Sequence, residues 1–256
     1  EKIVYRLNGM NYSFYDYSLV FMMNFDNRSS LGENDIFVVD ISRYGNNGTV
    51  FGAVVNTSGK YGGAFSFDGV DDYIRVMSSL SLDQLNQSFT LAAWIYDRSL
   101  DDGVNDDHNI MVKGDTGGTA SNTFRFRINI TKQLQLTISN GTGPGGIQNF
   151  YGSPIPLDQW TYVAATFNGS HATLYQDGVV TLSPALKTIE GNLTGAGNLV
   201  IGRQSPADCG SPFFTCWNGS IDEVRIWNRS LSPEEVKEQY YSNLYKFNQS
   251  QWYLSV

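Results

Sequence analysis

Short stretches of alternating residues, broken by turn signals about every eight to twelve positions, dominate this chain and leave little room for any fold but an all-β one. Thr123–Ile130 and Gln133–Ser139 read as a hairpin, with Phe124, Phe126, Ile128 and Ile130 on one side of its first strand. Trp160–Phe167, Ala172–Gln176 and Val179–Leu182 read as a meander, and Asp177-Gly178 supplies the two left-handed residues that a tight hairpin turn wants. Ser88–Tyr96 is apolar on both sides, as a central, covered strand would be. About a dozen such segments predict a two-sheet antiparallel β-sandwich. Asn140–Pro156, rich in Gly and Pro, reads as a long loop covering one end.

One stretch departs from this pattern. In Trp217–Tyr240 a strand is followed by a short C-terminal helix. Ser232 is a natural N-cap, Pro233 suits the first helical position, and Glu235 completes a capping box. Strict alternation puts Asp222 on the same face as Val224 and Ile226, and a carboxylate turned inward needs a partner.

The net charge of −8 argues against a nucleic-acid partner and suits divalent cations. No apolar run is long enough to span a membrane. The chain begins at Glu1 without a visible signal peptide, as expected of a mature fragment or a piece of a longer protein. Cys209 and Cys216 are spaced for a small disulfide-closed loop, which favours an oxidising, extracellular setting. The sequon N-x-S/T occurs twelve times, at Asn11, Asn27, Asn47, Asn56, Asn86, Asn129, Asn140, Asn168, Asn192, Asn218, Asn228 and Asn248. That excess predicts a densely N-glycosylated surface or secreted protein.

Five separated blocks occur in a familiar order: YGGAFSFDGVDDYI (61–74), FTLAAWIY (89–96), WTYVAATFNGSHATLYQDGV (160–179), NLVIGR (198–203) and NGSIDEVRIWNRSLSPEEV (218–236). Together they resemble the laminin-G-like group of the concanavalin A-like lectin/glucanase superfamily. The resemblance covers residues 18–241 and implies a jelly-roll domain. It leaves 1–17 as an extended N-terminal segment and 242–256 as a C-terminal extension or the start of a further domain. It also implies a structural calcium at the sandwich edge, for which Asp26, Asp222 and the loop at Gly45 and Asn46 are the matching candidates, calcium wanting six to eight oxygens. The acidic run Asp97, Asp101, Asp102, Asp106 and Asp107 reads as a solvated loop.

Catalysis is not expected. Glucanases of the superfamily place carboxylates at alternating positions of one strand, within a few ångströms of each other. Here Glu33, Glu190, Glu223, Glu234, Glu235 and Glu238 are scattered, and His108 and His171 fall in loop or turn contexts that suit surface histidines. Two non-catalytic functions are left. A structural or adhesive building block would contact copies of itself or neighbouring surface proteins, through Glu1–Tyr17 or Leu244–Val256 adding a strand to a sheet edge. A lectin-like module would bind glycans with aromatic faces, and Trp94, Tyr96, Tyr151, Trp160 and Tyr175 are the candidates.

Overall fold

The computed structural model describes residues 3–7, 10–98, 107–114, 122–193, 195, 197–204, 209–210, 213–214 and 216–242, with backbone alone for 3–7, 10–15, 209–210, 213–214 and 242. Twenty strands and two α-helices lie within them. The chain opens with a hairpin, β1 (Ile3–Leu7) and β2 (Met10–Tyr15), where an extended segment was expected. Next come β3 (Leu19–Met23), β4 (Phe37–Val38), β5 (Gly48–Phe51), β6 (Val54–Tyr61), β7 (Gly63–Asp68) and β8 (Tyr73–Val76). The helical turn α1 (Leu80–Asp83) precedes β9 (Phe89–Asp97), β10 (His108–Lys113), β11 (Phe124–Ile128) and β12 (Gln133–Ser139). Then follow β13 (Ile147–Pro154), β14 (Trp160–Phe167), β15 (His171–Gln176), β16 (Val179–Leu186) and β17 (Leu199–Ile201). The chain closes with β18 (Cys209–Gly210), β19 (Phe213–Phe214), β20 (Asn218–Trp227) and α2 (Pro233–Ser242).

Two eight-stranded antiparallel sheets face each other. The first runs β16-β15-β14-β9-β20-β7-β6, with β3 also on β20; the second runs β13-β12-β11-β10-β17-β8-β5-β4. Phe124, Phe126, Ile128, Leu134, Leu136 and Ile138 of the second sheet meet Phe89, Leu91, Val163, Ala165 and Phe167 of the first in one buried core. Period-two alternation then sends the residues between them to the opposite face. At the β15–β16 turn Asp177 and Gly178 have φ of 49° and 76°, the paired left-handed residues the sequence suggested.

Strand β20 sits at the centre of the first sheet and changes partner along one edge. Asn218–Ile221 pair with β7, Val224–Trp227 pair with β3, and β9 runs along its other edge throughout. A bulge marks the change, with Glu223 at φ 51°. That extra residue breaks strict alternation. Ile221, Val224 and Ile226 all enter the inter-sheet core, whereas Asp222 stands opposite Trp94 on the other face. Asp222 therefore does not share a face with Val224 and Ile226, as plain alternation would have it. At Gly219 a Cβ would lie 2.0 Å from the Tyr96 carbonyl oxygen, so only glycine lets β20 come this close to β9.

Asn140–Pro156 is not a covering loop. Past Gly146 it becomes β13, an edge strand, which accommodates Pro154 at its end. Helix α2 starts in the predicted capping box: the Ser232 Oγ accepts from the Glu235 N–H at 3.2 Å, and the Glu235 carboxylate accepts from the Ser232 N–H at 2.9 Å. Its Val236 packs with Leu19, Met22, Trp94, Tyr162 and Tyr175 as a second, smaller core on the outside of the first sheet.

Candidate functional site

The outward side of the second sheet carries two rows of mostly polar side chains. Register places Asn109, Arg127, Gln135 and Tyr151 in one row across β10, β11, β12 and β13, and Val112, Arg125, Thr137 and Asn149 in the next. Directly opposed residues share a face, so these rows form one surface, with Phe126, Leu136 and Phe150 turned the other way into the core. Most of this surface is polar and yet buried: Gln135 is 1% exposed, Thr137 2% and Arg127 8%. Tyr151, 46% exposed, and Asn149 form its open rim.

The groups on this face are tied to one another. The Gln135 amide donates to Asn149 Oδ1 at 2.9 Å and to Thr137 Oγ1 at 3.0 Å, and Thr137 Oγ1 donates to Asn149 Oδ1 at 2.7 Å. The Arg125 guanidinium donates to Gln204 Oε1 at 2.5 Å, and Arg127 pairs with Asp107. Burial pulls the Arg127 pKa below its ordinary value, against the opposing pull of Asp107 and Tyr151. Several polar atoms on or beside the face remain without a hydrogen-bond partner among the described residues: Arg127 Nε, Thr123 Oγ1, and both Oδ1 and Nδ2 of Asn122. A buried polar atom left unmatched costs about 1–3 kcal/mol.

Of the aromatic residues singled out in the sequence, only Tyr151 stands on this face. Trp94 and Tyr175 lie 1% and 2% exposed beneath α2, where Trp94 meets Tyr61, Tyr162 and Tyr240 and the Lys60 ammonium lies 4.1 Å from its ring centroid. Tyr96 and Trp160 pair edge to face at 5.8 Å. None of these four belongs to the polar rows. The rows were legible as alternation at 124–138; that their outward members would be buried was not.

The expected metal ligands divide into two places. Asp26 and Asp222 meet at the β6–β7 turn: Asp222 accepts the Tyr61 N–H at 3.0 Å and Asp26 accepts the Gly63 N–H at 3.1 Å. Asp26 also takes the Asn24 amide at 2.8 Å and the Arg28 guanidinium at 2.9 Å. Asn24 Oδ1, buried beside it, has no partner, as an oxygen set for a hard cation would show. Asn46 lies elsewhere. Its amide donates to the Val20 carbonyl at 2.9 Å, near the start of β3, and its backbone N–H to Asp40, in the loop shared with Gly45. A third acidic group, absent from the sequence reading, gathers Asp68, Asp71 and Asp72 with ligand oxygens within 4.8 Å of one another. Burial raises the Asp72 pKa to about 6, helped by Asp68 and Asp71 and opposed by the hydrogen bond from the Asp68 N–H.

His108 opens strand β10 and is buried, with Nδ1 3.0 Å from Asp97 Oδ1 and its ring against Trp217. It is not the surface histidine expected; it is only 3% exposed. His171 opens β15. The glutamates serve structure: Glu33 caps the Arg28 and Val39 amides, Glu223 pairs with Arg225, and Glu235 with Arg229. Cys216 is buried. Asp101, Asp102, Asp106, Asn248, the tail from 243 and the side chains of Asn11 and Cys209 fall outside the described residues. No described helix is long and apolar enough to cross a membrane.

The fold has many relatives among solved structures. The chain superimposes on Trypanosoma rangeli sialidase with a TM-score of 0.68 at 16% identity, covering 94% of this chain and 35% of the sialidase. For the binding domain of Paraclostridial mosquitocidal protein 1 the values are 0.65 and 16%, covering 89% and 53%. Domain 4 of a GH43 extracellular arabinanase from Geobacillus stearothermophilus, solved with arabinotriose, gives 0.61 and 20%, covering 86% and 97%. The chain thus spans about half the length of the toxin binding domain and a third of the sialidase, and at these identities the likeness is one of fold. No characterised protein matches it by sequence. A family model does, over residues 68–237, more than half of its length, and the chain belongs to that laminin-G-like family of the concanavalin A-like lectin/glucanases superfamily.

Proposed function

We propose that this domain is a carbohydrate-binding module and that the outward face of β10–β13 is its binding surface. The observation that carries the reading is the polar face itself, whose exposed rim of Asn149 and Tyr151 is backed by the Gln135 and Thr137 side chains bonded to Asn149. Sugar hydroxyls both donate and accept, and they suit a surface that mixes guanidinium, amide and hydroxyl groups. The Tyr151 ring offers a flat apolar patch for the C–H face of a sugar. The arabinanase domain solved with arabinotriose has this fold, which makes that sugar a sensible first probe. The experiment is titration of the domain with arabinotriose and a panel of neutral and acidic oligosaccharides, repeated on Gln135→Ala and Thr137→Val. Binding that both substitutions weaken supports the assignment; binding that neither affects, or none at all, refutes it.

The same proposal includes a structural calcium held by Asp26, Asp222 and the Asn24 side-chain oxygen, where it would brace the β6–β7 turn, and a Cys209–Cys216 disulfide closing the loop before β20. It places the protein outside the cell. One further observation favours a role in assembly as well. The edge strands of the first sheet expose Val54 at 64%, Val179 at 64% and Leu186 at 60%, and a neighbouring strand would cover them. Size analysis at increasing protein concentration tests this; a monomer throughout would exclude it.

A further inference from the structure

The sequons are not spread evenly over the folded chain. Asn86, Asn168 and Asn192 line one recess of about 390 Å³ together with Ser88, Phe167 and Lys187. They come from three separate connections: Asn86 precedes β9, Asn168 follows β14, and Asn192 lies beyond β16. Hydrogen bonds bring two more acceptors to the same end. The Leu193 N–H donates to the Asn86 carbonyl at 3.2 Å, the Asn140 amide to the Glu190 carbonyl at 2.8 Å, and Ser88 Oγ to the Asn228 carbonyl at 3.4 Å. All five asparagines lie in the connections between strands or beyond the last one.

Their side chains are placed unequally. Asn168 is exposed, and its Oδ1 accepts from the Ser170 N–H, the Ser170 Oγ and the His171 N–H at 2.8–3.0 Å, leaving Nδ2 turned from the turn. Asn192 is exposed and Asn86 half-buried. By contrast Asn129, in the β11–β12 turn, is 7% exposed, with Oδ1 held by Thr131 and the Gln133 N–H.

We infer that this end of the sandwich is a glycan-bearing pole, with N-linked oligosaccharides on Asn86, Asn168 and Asn192, and that Asn129 is left bare despite its sequon. The donor is a lipid diphosphate-linked oligosaccharide. The asparagine amide nitrogen bonds to the anomeric carbon, the bond from that carbon to the diphosphate oxygen breaks, the amide loses one proton, and the lipid diphosphate leaves. A bulky, hydrated sugar must stay in water when the chain folds, and the three acceptors around the recess allow this. Asn129 does not, because its side chain is only 7% exposed, whereas Asn168, whose Oδ1 is held by the same number of bonds, is open to water. Asn86, Asn168 and Asn192 all lie in connections between strands, away from the polar rows of β10–β13.

Site-by-site glycopeptide mass spectrometry of the full chain, secreted from a glycosylating host, tests this without reference to ligand binding. Enzymatic glycan release in heavy-oxygen water marks each occupied asparagine as aspartate. Occupancy at each of Asn86, Asn168 and Asn192 should exceed that at Asn129 several-fold. An occupancy at Asn129 equal to or above that of any of the three, or bare asparagines throughout, overturns the inference. Asn168→Gln, which keeps an amide on an exposed turn, should remove one glycan mass and leave the other sites unchanged.

Discussion

The two sheets have the same strand count and the same period-two alternation, and yet their outward faces have opposite characters. On the first sheet Trp94, Tyr162 and Tyr175 face outward and are sealed by α2 and its Val236 and Tyr240. On the second, Arg127, Gln135 and Thr137 occupy the equivalent outward positions, and no described helix covers them. An apolar outward face demands a cover, and the chain provides one at its C-terminal end. A polar outward face that is nonetheless buried does not add stability by itself, which suits the binding role proposed above. Stability should therefore respond chiefly to the first face and ligand affinity chiefly to the second.

Trp94→Ala is the most severe way to break that division. It removes a ring packed against Tyr61, Tyr162 and Tyr240 and should lower unfolding free energy by about 3–5 kcal/mol in denaturant titration. Any protein still folded should bind sugar with unchanged affinity. Calcium comes next. Adding it at about a hundred times its dissociation constant should raise stability by about 2.7 kcal/mol, a chelator should reverse this, and Asp26→Ala should abolish the difference. A melting temperature indifferent to calcium would remove the metal from the account.

Tyr151→Ala sharpens the comparison from the other side. Its ring is half in water, so stability should stay within about 0.5 kcal/mol, while loss of a stacking platform should weaken sugar binding about tenfold, or about 1.4 kcal/mol. The smallest effect belongs to Asp72, at the turn leading into the second sheet. Its carboxyl holds a proton up to about pH 6 in the folded chain, against an ordinary value near 3.8. The folded state thus binds the proton more tightly than the unfolded one. This contribution is fully present below about pH 4 and is lost as pH rises through 6. Asp72→Asn should therefore stabilise the protein at pH 7 by about 1 kcal/mol and have no such effect at pH 3.5, measured by thermal melts at both pH values.

Much of the architecture was readable before the structure. Alternation at 89–96 and 124–138, the Asp177-Gly178 turn and the Ser232/Glu235 capping box are local signals, and each forms as read. What escaped were consequences of non-local packing. The bulge at Glu223 moves Asp222 to the helix side because β20 changes partner there, and nothing within the strand announces that change. Strand β13 hides in a Gly/Pro-rich segment because an edge strand tolerates residues that a central one does not. The site divided in the same way. Asp26 and Asp222 accept backbone N–H groups two residues apart at the β6–β7 turn, whereas the Asn46 amide bonds to the Val20 carbonyl of β3. Tryptophans look alike in sequence whether a helix will cover them or not, so Trp94 and Tyr151 became distinguishable only once α2 was placed. The polar face was invisible for a related reason: Arg127, Gln135 and Thr137 read as ordinary solvent-facing alternates, and only the sheet order joins them to Asn149 and Tyr151.

The most direct test is a residue-resolved NMR titration of the domain with arabinotriose, followed by the oligosaccharide panel. The account predicts saturable shifts confined to Arg127, Gln135, Thr137, Asn149 and Tyr151 and their neighbours on β10–β13, with the amides around Trp94 and α2 still. Shifts centred on the helix-covered face, or a spectrum that no sugar moves, would contradict it.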